Sequence, residues 1–158
     1  VSSRYGLEIR APTNADLEGT AELLRSAGTA ILAGELGERL AAIRAGGGAV
    51  FIAVAWGPPS GVVALHWYRD VAAAAPVAVI TTLFVMADER RRGIGRLLVK
   101  AAAQAARVAG CGALELAGSA EVSAFCLATG FSEVGPRFAR GLRRGASRHP
   151  AGSGQADG

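Results

Sequence analysis

Apolar and polar positions alternate with period two along "GLEIRAPT" (6–13), which predicts a first strand. "NADLEGTAELLRSAG" (14–28) changes to a helical spacing, with Thr13 or Asn14 as N-cap and Gly28 as the stop. A second helix over 35–45 carries Leu36, Leu40 and Ile43 on one face and runs into Gly46-Gly47-Gly48. "AVFIAVAW" (49–56) and "GVVALHWYRD" (61–70) flank a Gly57-Pro58-Pro59-Ser60 turn, a hairpin pattern, and "VAVITTLFVM" (77–86) adds a third strand. A long helix is predicted from about 93 to 109. Its apolar stripe is Ile94, Leu97, Leu98, Ala101, Ala105 and Val108, with Arg96, Lys100, Gln104 and Arg107 opposite. A strand over 112–118, a helix over 120–129 closed by Gly130 with Phe131 behind it, and a last strand "RFARGL" (137–142) follow.

The order β-α-α-β-β-β-α-β-α-β joins an antiparallel front half to a β-α-β unit. That is an α+β fold, with a mixed, mostly antiparallel sheet flanked by helices on both faces. One domain is expected over residues 1–144, followed by a flexible Gly/Ser/Ala/Pro tail over 145–158.

Composition narrows the class. With 158 residues, 51% of them hydrophobic and 19% charged, the chain can bury a core and is not of the disordered type. The net charge of +4 comes from sixteen arginines and one lysine against thirteen acids. In an Ala- and Gly-rich chain this reads as coding bias before it reads as a partner. Cys111 and Cys126 sit among apolar neighbours, as reduced thiols of a cytoplasmic protein would. No run is long and apolar enough for a membrane span, so no membrane partner is expected, and no metal is expected either.

Charge matters in one place. Asp88-Glu89-Arg90-Arg91-Arg92-Gly93-Ile94-Gly95 packs three arginines and two glycines where the long helix begins. A helix N-terminus is partly positive and carries unpaired N–H groups, so bases are disfavoured there unless acids or a bound anion offset them. A two-glycine turn opening a helix can cradle a phosphate. A Walker loop would need a Gly-Lys-Ser/Thr ending, which is absent. The dinucleotide fingerprint would need a third glycine where Leu98 stands, although Glu115 lies about twenty residues past Gly95. The Arg/Gln-x-x-Gly-x-Gly loop fits, as Arg90 through Gly95. In a chain with 22 glycines that loop alone is weak, and the strand leading in and the amphipathic helix leading out give it context.

In that context the chain resembles the GNAT acyltransferase superfamily over about residues 6–143. Leu83 through Gly95 is similar to the family's strand, bulge and loop, and "AFCLATGF" (124–131) resembles its later Phe-Tyr helix in Phe125, Gly130 and Phe131. The resemblance implies a GNAT-like acyl-CoA N-acyltransferase fold and acetyl-CoA (coenzyme A) as co-substrate. It further implies direct transfer of an acetyl group to a primary amine of a small molecule or peptide. The backbone of Leu83, Phe84 and Val85, at a bulge near Val85, would pair with the pantetheine arm. The amides of Arg91, Arg92, Gly93, Ile94, Gly95 and Arg96 would hold the pyrophosphate, with Arg90, Ser119 and Phe125 completing the cofactor site.

Acetyl transfer needs the amine deprotonated and the leaving thiolate stabilised. The resemblance puts a tyrosine, the family's usual acid, where this chain has Cys126. A thiol, of ordinary pKa about 8.5 against about 10 for tyrosine, could donate that proton but is shorter; the other reading is a small hydrophobe packed on its helix. Ser119 reads as a helix N-cap, and Tyr68 and Ser123 are weaker stand-ins for the acid. For the base, His66 and Glu115 are candidates, His66 sharing a strand face with Tyr68. Trp56, Trp67 and Tyr68 either line an acceptor pocket or pack the sheet. Few of the acids in the front half cluster, beyond Glu35, Glu38 and Asp70, which argues against a polycationic acceptor. Two other readings stand beside the enzyme: a coenzyme A-binding module with altered catalysis, and a nucleic-acid binder using Arg137, Arg140, Arg143, Arg144 and Arg148. Those arginines lack interleaved aromatic residues, so no nucleic-acid partner is expected. An exposed sheet edge offers a route to a homodimer.

Overall fold

Strand β3 (Gly61–Tyr68) is the middle of a five-stranded sheet in the computed structural model, which describes residues 6–90, 92–117, 122–135 and 138–142. The order is β1 (Glu8–Arg10), β2 (Gly48–Val54), β3, β4 (Val77–Val85) and β5 (Ala113–Leu116). Neighbours are antiparallel up to β4, and β5 runs parallel to β4, as a β-α-β crossover requires.

Period-two alternation in the central strands feeds two cores. Helices α1 (Leu17–Ser26) and α2 (Ala33–Ala45) cover one face, over Val50, Ile52, Val62 and Ala64. Helix α3 (Ile94–Val108) covers the other, over Ala53, Val63, Leu65, Ala78 and Ile80. A short α4 (Ser123–Ala128) follows β5. Helices thus lie on both faces, as expected.

The α1 entrance is tied to β1. Arg10 grips Asp16 with two hydrogen bonds of 2.6 and 2.9 Å, and Asp16 also accepts from the backbone N–H and hydroxyl of Thr13. Thr13 therefore caps the 3-10 turn Asn14–Asp16 that leads into α1. The guanidinium of Arg10, chiefly by hydrogen bonding, holds the Asp16 carboxyl well below the usual carboxylate range.

Three expectations change. Residues 138–142 form no strand, and Phe138 and Leu142 are 92% and 91% exposed; two apolar residues on one face bury nothing without a partner strand. Arg137 lies outside the described residues. The stripe on α3 is rotated: Leu97 and Val108 are exposed, while Val99, Ala102 and Ala106 are buried with Ile94 and Leu98. The small Ala102 and Ala106 let the helix lie close on the sheet. Finally, the strand bulge falls at Thr81, not near Val85. Helix α4 ends as predicted, with Gly130 at φ 92° and the N–H of Phe131 donating to the Cys126 carbonyl at 2.9 Å. No helix among the described residues is long and apolar enough to cross a membrane.

Candidate functional site

The bulge organises the site. Ala64 pairs with Thr82 but Leu65 pairs with Ile80, so Thr81 is an extra residue in β4. One extra residue reverses which face each later side chain takes. Ala78 and Ile80 pack under α3 before the bulge; after it Leu83 and Val85 do so, and Phe84 and Met86 turn to the α1/α2 side. The Thr81 hydroxyl donates to the Ala64 carbonyl at 3.4 Å across the irregularity.

Pairing between β4 and β5 stops at Ile80–Leu116, while β4 continues to Val85. Beyond the bulge no strand among the described residues pairs with that edge of β4. The edge leads through a 3-10 turn (Ala87–Glu89) to the charged loop. There Gly93 takes the left-handed conformation at φ 78°, which a side chain would strain, and α3 starts at Ile94 with no acid in its first turn. Its first N–H groups lack intrahelical partners and carry the positive end of the helix dipole. Gly95 lies under Phe125 of α4: a Cβ there would meet the Phe125 ring at 3.2 Å. Leu83–Val85, Gly93–Gly95 and Phe125, expected together from the sequence, are thus brought together. Arg90 turns back, its Nε donating to the Val85 carbonyl at 3.1 Å and its guanidinium lying 5.7 Å from the Phe84 ring centre. Arg92 pairs with Glu89 at 3.2 Å. Arg91 and Ser119 lie outside the described residues.

In front of the bulge is a cleft of about 480 Å³ between α1, α2 and the sheet, reaching Leu116, Val122 and Phe125 at the β4–β5 split. Its walls are apolar apart from Thr20, Thr29, Thr81, Thr82 and Arg39. Thr20 is fully buried, and its hydroxyl has no hydrogen-bond partner among the described residues.

The catalytic candidates are placed around this cleft but do not line it. His66 and Glu115 both lie beside Val79, in one row across β3, β4 and β5, on the sheet face that α1 and α2 cover further along. Tyr68 is on the same face, its ring 6.3 Å from that of His66. Cys126 is half-buried on α4, next to the cleft-lining Phe125. Both cysteines are free, and burial pushes the Cys111 thiol up. Trp56 is exposed beside Gly6, and Trp67 packs on Gly47 and the α3 core; neither lines the cleft. Sequence reasoning missed Thr20, Arg39, Thr81 and Thr82 as lining residues. The Thr81-Thr82 doublet breaking an apolar strand was a readable sign of the bulge; Thr20 and Arg39 carry no motif.

The mixed sheet, its bulged fourth strand and the glycine-led helix resemble the strand, bulge and loop of the acyltransferases. The sequence model of the "Acetyltransferase (GNAT) family" matches residues 18–128, and the chain belongs to that family. No curated protein matches the sequence. Solved structures share the fold. Glucosamine-6-phosphate N-acetyltransferase from Arabidopsis thaliana is 17% identical with a TM-score of 0.78, over 87% of this chain and 99% of that one. An aminoglycoside acetyltransferase from an uncultured soil metagenomic sample, in complex with sisomicin, is 21% identical with a TM-score of 0.71, over 87% and 97%. The structure of AAC(6')-Iy, in complex with a bisubstrate analog containing CoA, is 23% identical with a TM-score of 0.73, over 87% and 98%.

Proposed function

We propose that the protein is an N-acetyltransferase that moves an acetyl group from acetyl-CoA directly to a primary amine of a small molecule or peptide. The observation that carries this reading is the edge of β4 beyond Thr81, which no strand among the described residues pairs, standing between an apolar cleft and the N-terminus of α3. Acetyl-CoA would supply the activated thioester. The residues fit it: the free backbone edge of Thr82–Val85 would pair with an amide-bearing arm, and the N–H groups at Gly93–Arg96 would receive a diphosphate. Gly95 leaves room for the approach under Phe125. Arg90 acts by tying the loop to the end of β4. The amine nitrogen attacks the thioester carbon, the carbon–sulfur bond breaks, and the amine proton passes by way of water to the departing sulfur or to solvent. His66 and Glu115, facing the cleft side of the sheet, are the groups we assign to water-mediated proton removal; Cys126 and Tyr68 are the candidate donors. The cleft volume favours a small acceptor over a folded protein tail.

The test is calorimetric titration with acetyl-CoA followed by a thiol-release screen over amines. Binding with turnover on any amine supports the proposal. Binding without turnover on a broad panel favours a coenzyme A-binding module, the reading that Cys126 in the tyrosine position raises. No binding removes both.

A further inference from the structure

We propose that the acceptor is a monoamine on an apolar body that also carries an anionic group, a carboxylate or a phosphate, which Arg39 receives. This rests on the acetyltransfer reading and names its substrate class. Of the twenty described residues lining the cleft, Arg39 is the only charged one, and none is acidic. An ammonium entering such a site finds no carboxylate to replace its hydration, so the neutral amine, the form that attacks a carbonyl, is favoured. An acceptor with several ammonium groups meets that penalty several times over. The anion has the opposite prospect. Glu35, one helical turn before Arg39, could pair with it at i,i+4 spacing. Instead its carboxylate accepts the Leu32 N–H at 3.2 Å at the start of α2. Arg39 makes no salt bridge among the described residues and stays exposed at the cleft wall, beside the buried Leu36 and Leu40. Thr20, buried with an unpartnered hydroxyl, offers a second polar contact in an otherwise apolar lining.

The experiment uses the full chain with acetyl-CoA and matched amines: phenylalanine against phenethylamine, phosphoethanolamine against ethanolamine, and an aminoglycoside as polycation. The anionic member of at least one pair should have a kcat/KM higher by about tenfold, the size of a charge-assisted bidentate contact at a partly exposed site. Which pair responds identifies carboxylate or phosphate. Arg39→Gln should erase the preference, Arg39→Lys should keep part of it, and Arg107→Gln, on the outer face of α3, should leave it intact. A calorimetric arm needs no turnover: N-acetylphenylalanine should bind more tightly than N-acetylphenethylamine, or the N-acetylated phosphoamine more tightly than its alcohol, and the difference should vanish in Arg39→Gln. Equal or reversed preference in both pairs, the polycation as best acceptor, or no binding of any product overturns the inference. Failure to bind acetyl-CoA removes the acetyltransfer reading alone, because the product arm still reports on Arg39.

Discussion

The two ends of the cleft are made of different material. The end at β4 and α3 is built from backbone: an extra residue at Thr81, a strand edge that no described strand pairs, and a left-handed glycine opening a helix whose first N–H groups have no intrahelical partner. The end under α1 and α2 is built from side chains: threonines, aliphatic residues and one arginine drawn from four separate elements. Backbone sites depend on chain geometry, so they tolerate most side-chain changes and fail when spacing or glycine is altered. Side-chain sites behave the other way. The contrast can be broken by experiment at either end.

The largest effect should come from inserting one alanine between Thr82 and Leu83. With the Ala64–Thr82 pair kept, every residue from Leu83 to Met86 then changes face, sending Phe84 and Met86 toward the α3 core and Leu83 and Val85 toward the cleft. We expect the protein not to fold, or to lose several kcal/mol, since a whole strand segment is repacked. Thr81→Ser, which keeps the spacing, should melt within a few degrees of the parent. A folded, active insertion variant would show that the phase of β4 after the bulge is not what packs the two faces.

Next comes the loop. Gly93→Val strains a φ of 78°, and Gly95→Val drives side-chain atoms into the Phe125 ring, which a Cβ alone would meet at 3.2 Å. The pair should weaken acetyl-CoA binding about a hundredfold, roughly 2.7 kcal/mol by titration calorimetry. Circular dichroism should show the remaining helices intact. Unchanged acetyl-CoA affinity would remove the diphosphate role of the loop.

This difference in material explains what the sequence reveals. Backbone requirements leave fixed signs: glycine spacing at Gly93 and Gly95, the Gly130-Phe131 helix end, and the Thr81-Thr82 break in an apolar strand. The loop was therefore legible as a motif, and the sheet as alternation. The bulge was misplaced by four residues because β4 is apolar on both faces before it, and such a strand does not show its phase. The last strand was over-read for a related reason. Phe138 and Leu142 fall on one face at even spacing, but a shared face supplies no partner to bury it against. The acceptor lining was not legible at all. Thr20 and Arg39 come from different helices, and only packing brings them to one cleft.

A third prediction separates the two ends by acid. The Asp16 carboxyl titrates well below the usual range because Arg10 and Thr13 bond its ionised form. A depressed folded-state pKa gives stability that is complete above the unfolded value, about 3.9, and lost as pH falls below it through the folded one. The pair is a bidentate one near the surface, so about 1 kcal/mol is at stake. Lowering pH from 5 toward 2 should speed hydrogen exchange in residues 14–26 more than in α3. Asp16→Asn should reduce stability at pH 7 and flatten this acid dependence. Equal acceleration in α3 would mean the two ends soften together.

The smallest effect is the most discriminating, because stability and function should move in opposite directions. Thr20 is fully buried, and its hydroxyl has no partner among the described residues. A buried hydroxyl without a partner is destabilising, so Thr20→Val, nearly isosteric, should stabilise the free protein by about 1 kcal/mol. For a domain of this size that is a rise in Tm of about 3 °C. If the hydroxyl is held ready for the acceptor, the same change should raise the acceptor KM a few-fold and leave acetyl-CoA affinity alone. A more stable variant with unchanged acceptor kinetics would make Thr20 a packing defect without a role. A less stable one would mean that the hydroxyl is already satisfied in solution, by a trapped water, and the acceptor end would then be wetter than its aliphatic walls imply.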